Sequence, residues 1–299
     1  MRYGFIGLGN LGGHLAANLL GKGFDVTVHD IDRAQAGRHL SSGGKWADSL
    51  QALAGDVDCL VTCLPSPAVS ESVVEKVFRS PNAVSSWIEM STLGREEVLR
   101  LSNLAAHHGV RMLESPVTGG VHLAAQGKVT VLVGGDVDLF ALHKNALQAM
   151  GDKVLHMGPL GSAAIIKVIT NMLAFIHLVA DGEALMLAKR AGLDLGLAWH
   201  AIAASSGTSF VHETEGQLIL NGSYDIAFTM DLALKDLGFA MNLGSQLGVP
   251  LELAALTKQA FVKGKAAYGG KAQSTRVVKL LEDALNTDLR AAGFPSRLT

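Results

Sequence analysis

From Tyr3 to His156, short apolar runs alternate with stretches whose apolar residues recur at helical spacing. Tyr3–Leu8, Asp25–His29, Cys59–Cys63, Trp87–Met90, Arg111–Leu113, Val129–Val133 and Val154–His156 predict strands. Between them, His14–Leu20, Val69–Phe78 and Arg95–His107 carry the 3.6-residue repeat of half-buried helices. Strands alternating with helices imply right-handed crossovers and a mostly parallel sheet covered on both faces. Beyond Pro159 the pattern changes. Ala, Leu, Met and Lys recur at helical spacing, Gly192, Gly207, Gly222 and Gly248 punctuate them, and no run reads as a strand. The expected architecture is an α/β domain over residues 1–160 and an all-helical domain over 161–299, ending in a loose tail from about Ala291.

Composition narrows the function classes. At 299 residues and 48% hydrophobic, the chain is long enough to bury two cores. A net charge of −2 without any Lys/Arg block argues against a nucleic-acid arm or a polybasic membrane patch, since both need a concentrated positive field. Cys59 and Cys63, four apart in an apolar run, fit neither a disulfide framework nor a zinc site, and the histidines lack metal-ligand spacing. No metal is expected, and a reducing cytoplasm is the expected compartment. The opening residues lack the charged and apolar regions of a signal peptide. From Ala163 to Leu187 the chain is apolar enough to resemble a membrane span, but Lys167, Asn171, His177, Asp181 and Glu183 interrupt it. Placing a lysine and two carboxylates in lipid costs several kcal/mol, so a buried helix is expected.

The strongest local signal is Gly7-Leu8-Gly9-Asn10-Leu11-Gly12, between a predicted strand and a predicted helix. There the first glycine permits a tight turn, the second lets backbone approach a pyrophosphate, and the third lets the helix pack on the strand. The helix N-terminus offers its unpaired N–H groups to the anion. The next strand ends at Asp30, about 20 residues on, where a carboxylate hydrogen-bonds the adenosine ribose hydroxyls and repels a 2′-phosphate. Ile31 follows rather than an arginine, although Arg33 is near, so the cofactor is expected to be NAD rather than NADP. A Rossmann-type dinucleotide-binding domain is the fold these signals describe.

Ser115-Pro116-Val117-Thr118-Gly119-Gly120 offers a hydroxyl and two unobstructed backbone amides, a cluster suited to a carboxylate. Lys167 and Asn171, four apart, share one face of a helix whose neighbouring residues are mostly apolar. A lysine in such surroundings loses solvation, which pulls its pKa toward the range useful for proton transfer. These segments, with Lys235-Asp236-Leu237, Leu64-Pro65-Ser66 and the glycine-rich turn, resemble the β-hydroxyacid dehydrogenase family, relatives of 3-hydroxyisobutyrate dehydrogenase and tartronate semialdehyde reductase. Order and spacing agree over almost the whole chain.

The resemblance implies that Thr118, Gly119 and Gly120 bind the substrate carboxylate, that Lys167 is the general acid/base, and that Asn171 holds the substrate. It implies that Gly7, Gly9, Asn10, Leu11, Gly12, Asp30, Leu64, Pro65, Thr92 and Lys235 contact the cofactor. It also implies a small hydroxy-acid substrate and a homodimer or homotetramer associating through the helical domain. The sequence departs from the family's usual form at Glu114, Ser115 and Thr118, at Lys128, and in Gly269–Ser274, which lacks a common aspartate; these bear on which acid is used rather than on the reaction. Two alternatives stand beside this reading. An imine reductase-like enzyme typically carries a different residue where Lys167 stands, and a non-catalytic NAD-binding module is expected to lose the lysine or the substrate loop.

Overall fold

A computed structural model describes residues 1–79 and 81–299. They form two compact units, Met1–Lys167 and Val168–Thr299. The first is built on a nine-stranded sheet. Its strands are β1 (Arg2–Ile6), β2 (Asp25–His29), β3 (Lys45–Trp46), β4 (Cys59–Thr62), β5 (Ser86–Glu89), β6 (Arg111–Glu114), β7 (Val117–Thr118), β8 (Thr130–Gly134) and β9 (Lys153–Gly158). The order is β3-β2-β1-β4-β5-β6-β8-β7, with β9 paired to β8. The pairs from β3 to β6 are parallel; β8 runs antiparallel to β6 and β7, and parallel to β9.

Period-two alternation sorts the apolar side chains onto two faces. Phe5, Val61, Ile88 and Leu113 join one core with Leu15 and Leu19 of the Gly12–Gly21 helix and Leu147 of the Val137–Met150 helix. Ile6, Leu60, Trp87 and Met112 join the other, against Leu53, Val74, Val77 and Leu101 of the helices Leu50–Asp56, Pro67–Arg79 and Arg95–His107. The mostly parallel, doubly covered sheet expected from the sequence is present.

Two expectations are corrected, and two strands are added. The first strand stops at Ile6 rather than Leu8, because Gly7 takes a φ of +97° and turns the chain. The two-residue strands Lys45–Trp46 and Val117–Thr118 are too short to show any period. The C-terminal stretch is not loose: the Ala291 amide donates to the Leu220 carbonyl, Asn221 donates to the Phe294 carbonyl, and the Phe294 ring meets Trp199 edge-on.

The second unit is helical among its described residues, apart from an isolated bridge between Thr229 and Gln273. The Ser162–Arg190 helix is long and apolar enough to cross a membrane by length and composition. Phe175, Leu178, Leu185 and Met186 nevertheless lie in the core of the helical unit, against residues such as Ile219 and Phe261. Gly222 and Gly248 end the helices Phe210–Asn221 and Met230–Leu247 in the left-handed conformation.

Candidate active site

Strand order reverses direction between β1 and β4, and their carboxyl ends are where open α/β sheets bind ligands. The glycine-rich turn leaves β1 there, and Cys63-Leu64-Pro65 leaves β4. A Cβ on Gly7 would lie 2.3 Å from the Cys63 carbonyl oxygen, and one on Gly12 would lie 2.1 Å from the Gly7 carbonyl oxygen. Around Gly9 nothing lies within 4 Å of that position. Two glycines are thus required by the turn's own packing, while the second leaves room on the outer side. No side chain caps the Gly12–Gly21 helix at Leu11, so its opening amides suit an anion. The turn therefore fits a dinucleotide pyrophosphate.

Asp30 is joined to this turn. Its Oδ2 accepts the Leu8 amide at 2.6 Å and its Oδ1 accepts the Asp32 amide at 2.9 Å. Arg33 is directed elsewhere, to Asp48 at 3.2 Å and over the Trp46 ring. On the other side, the Leu64 amide donates to Ser91 Oγ at 2.8 Å, next to Thr92. Behind Ser91 stands Glu89, which sequence reasoning missed. Its buried carboxylate accepts the Ser91 amide at 2.7 Å and the Thr62 hydroxyl at 3.0 Å, and burial holds its pKa above the usual carboxylate range. A lone Glu closing an apolar strand was the only available signal.

The substrate-loop candidates follow β6. Val117–Thr118 pairs with β8, and the next two residues take positive φ, +123° at Gly119 and +82° at Gly120. Such values favour glycine, so the bare amides are fixed by the backbone path itself. The following Gly120–Ala125 helix is tied to the glycine-rich turn's helix by Asn18 Nδ2, which donates to the Ala124 carbonyl at 2.9 Å. Cofactor and substrate candidates of the first unit are thereby brought into one framework. His122 lies beside Gly120, and burial lowers its pKa. Lys128 is exposed.

Lys167 and Asn171 stand one turn apart on the Ser162–Arg190 helix, and Lys167 is only 7% exposed. In the second unit, Asn171 Nδ2 donates to Asp236 Oδ2 at 2.6 Å. A carboxylate accepts only, so the amide nitrogen faces it and the amide oxygen turns away. Lys235 Nζ sits 2.9 Å from Asp236 Oδ1 and over the Phe239 ring. Asp236, buried at 1% exposure, thus joins two candidate residues. The sequence showed only an adjacent charge pair, with nothing to link residue 236 to residue 171.

Fold and turn together define a dinucleotide-binding protein of the dehydrogenase type. Residues 2–158 match the NAD binding domain of 6-phosphogluconate dehydrogenase, and residues 161–281 match the NAD-binding segment of NADP-dependent 3-hydroxyisobutyrate dehydrogenase. The 2-(hydroxymethyl)glutarate dehydrogenase of Eubacterium barkeri is 30% identical over 94% of this chain and 95% of its own length. Two solved structures share the architecture. The 3-hydroxyisobutyrate dehydrogenase of Salmonella typhimurium has a TM-score of 0.86 at 28% identity, and that of Mycobacterium tuberculosis with L-serine has 0.83 at 27%; each match covers 94% of this chain and 99% of the other. The chain belongs to the β-hydroxyacid dehydrogenase family, and its relatives are NAD(P)-dependent hydroxyacid dehydrogenases.

Proposed function

We propose that this protein moves a hydride between NAD and a small β-hydroxy acid or its semialdehyde, with Lys167 as general acid/base. The observation that carries the reading is a buried lysine one helical turn from an asparagine whose amide is oriented by Asp236. Thr118 and the amides of Gly119 and Gly120 hold the substrate carboxylate, and Asn171 orients the carbinol hydroxyl. Lys167 takes the hydroxyl proton in oxidation and returns it in reduction. Gly7, Gly9, Asn10, Leu11 and Gly12 hold the pyrophosphate, Asp30 the ribose, and Leu64, Pro65, Thr92 and Lys235 complete the cofactor contacts. The nicotinamide, when bound, supplies or accepts the hydride. Preference for NAD is supported by the Asp30 carboxylate beside the turn and by the direction of Arg33 toward Asp48.

The test is nicotinamide absorbance with NAD or NADP against 3-hydroxyisobutyrate, glycerate, 3-hydroxypropionate, serine, threonate and 2-(hydroxymethyl)glutarate. Turnover is expected with NAD and at least one of these acids. Lys167→Ala is expected to lose roughly 10²–10⁴-fold in kcat while keeping NAD affinity. Near-parental turnover in that variant sinks the lysine assignment.

A homodimer or homotetramer is proposed as well. Ile169, Leu173 and Leu187 of the long helix, with Leu193 and Leu197 beyond it, are exposed in the single chain. Such a concentration of apolar surface marks an association face. Sedimentation at micromolar concentration should show the assembly, and a monomer there would refute it.

A further inference from the structure

Glu114 closes β6 and is only 1% exposed. Its Oε1 accepts the amides of Gly161 at 2.6 Å and Ala163 at 3.0 Å, and its Oε2 accepts the amide of Ala164 at 2.9 Å. These amides open the Ser162–Arg190 helix. A helix leaves its first N–H groups without internal acceptors, and its positive end favours an anion. Three N–H donors converging on two oxygens suit the carboxylate form, which accepts at both. Burial pushes this carboxyl up to about 7, while the three amides pull it down.

The surroundings are shaped to admit this grip. A Cβ on Gly134, the β8 partner of Glu114, would lie 2.2 Å from Oε1. Gly161 takes a φ of +95° beneath the Arg95 side chain, which a Cβ would meet at 3.0 Å. Glu114 also directly precedes the Ser115–Gly120 loop. One side chain therefore links the strand that feeds the carboxylate loop to the first turn of the helix bearing Lys167.

We propose that Glu114 is a positioning residue for proton transfer: by gripping the opening amides of the helix, it fixes where Lys167 stands relative to an acid held at Thr118–Gly120. This rests on the assignment of Lys167 as acid/base. Glu114→Gln keeps length and shape, but its amide nitrogen would face an N–H donor, so the helix start loses its register.

In the full-length enzyme, assayed with the fastest acid of the panel above, kcat of Glu114→Gln falls roughly tenfold. KM for that acid and the affinity for NAD stay within about twofold, because neither the carboxylate loop nor the glycine-rich turn loses an atom. The solvent deuterium isotope effect on kcat rises, since proton transfer becomes the slower step. Gly134→Ala, which crowds Oε1 without removing the carboxylate, reproduces the same split. Glu114→Asp, one methylene short, gives a milder version and serves if the Gln variant does not fold.

An unchanged kcat overturns the proposal. So does a loss shared equally by KM and NAD affinity with no change in isotope effect, which describes general loosening. Lys167→Ala separates the two readings. If it turns over normally, the lysine assignment fails; if it is inactive while Glu114→Gln keeps full kcat, only the positioning role fails.

Discussion

The sheet unit and the helical unit build their candidate sites from different materials. In the first, the working surface is mostly backbone: a turn in which Gly7 and Gly12 leave no space for a side chain while Gly9 stands open, bare amides at Gly119 and Gly120, and helix-start amides gripped by Glu114. In the second, carboxylates position other side chains. Asp236 lies against Asn171 and Lys235, and Asp181 holds His212. A cradle of backbone fails when atoms are added. A clamp of side chains fails when a charge is removed.

The largest effect is expected in the helical unit. His212 Nδ1 meets Asp181 Oδ1 at 2.5 Å, its Nε2 meets the Trp199 carbonyl at 2.9 Å, and the Trp199 ring stacks on it. Both ring nitrogens face acceptors, so both donate and the imidazole is charged. Burial opposes that charge, but the bonds to Asp181 and Trp199 outweigh it and raise the His212 pKa. Asp181→Asn should cost about 3 kcal/mol, the loss expected when one member of a buried pair is removed.

A raised histidine stabilises fully below its unfolded pKa, and this contribution is lost as pH rises through the folded value. Glu215, pushed by burial to about 7, acts with the same sign: its contribution is present below the unfolded carboxylate pKa and lost as pH rises through about 7. Urea midpoints should therefore fall from about pH 6 to pH 9, and Asp181→Asn should flatten the fall. Glu114, also near 7, leaves a residual slope of the same sign from the first unit. An unchanged slope in Asp181→Asn would dissolve the contrast between the units.

Two glycines sharpen it from the other side. Gly12→Ala places a methyl 2.1 Å from the Gly7 carbonyl oxygen and should cost about 1–3 kcal/mol in stability as well as weakening NAD binding. Gly9→Ala meets nothing within 4 Å, so its unfolding midpoint should stay put while NAD affinity falls roughly tenfold. Fluorescence titration with NADH beside thermal melts separates the two. If Gly9→Ala binds NADH as the parent does, the room beside Gly9 is not where the pyrophosphate lies.

The same contrast explains what was legible in the sequence. Backbone-built features leave local signatures, because glycines at fixed spacing and alternating apolar residues are readable within one segment. The turn at Gly7–Gly12, the parallel strands and the helical spacing of Lys167 and Asn171 were all readable in that way. Side-chain clamps join distant positions: Asn171 with Asp236, Asp181 with His212, and Glu114 with the helix start at Gly161. No periodicity connects such pairs. The docked C-terminal stretch was misread for the same reason, since Phe294 gains its place only from Trp199 and Asn221.

The smallest effect tests whether the backbone-built region tolerates subtraction as well as it resists addition. Ser115 is fully buried beside Glu114, and its amide donates to the Glu89 carbonyl at 2.6 Å. Its hydroxyl finds no partner among the described residues. A buried hydroxyl left unpaired carries a desolvation cost of about 1–3 kcal/mol, whereas losing one oxygen leaves little cavity. Ser115→Ala should therefore hold or raise stability by up to about 1 kcal/mol with turnover unchanged, read from urea midpoints and steady-state rates. A loss of turnover at unchanged stability would place that hydroxyl among the groups that hold substrate, and the first unit would then use a second hydroxyl beside that of Thr118.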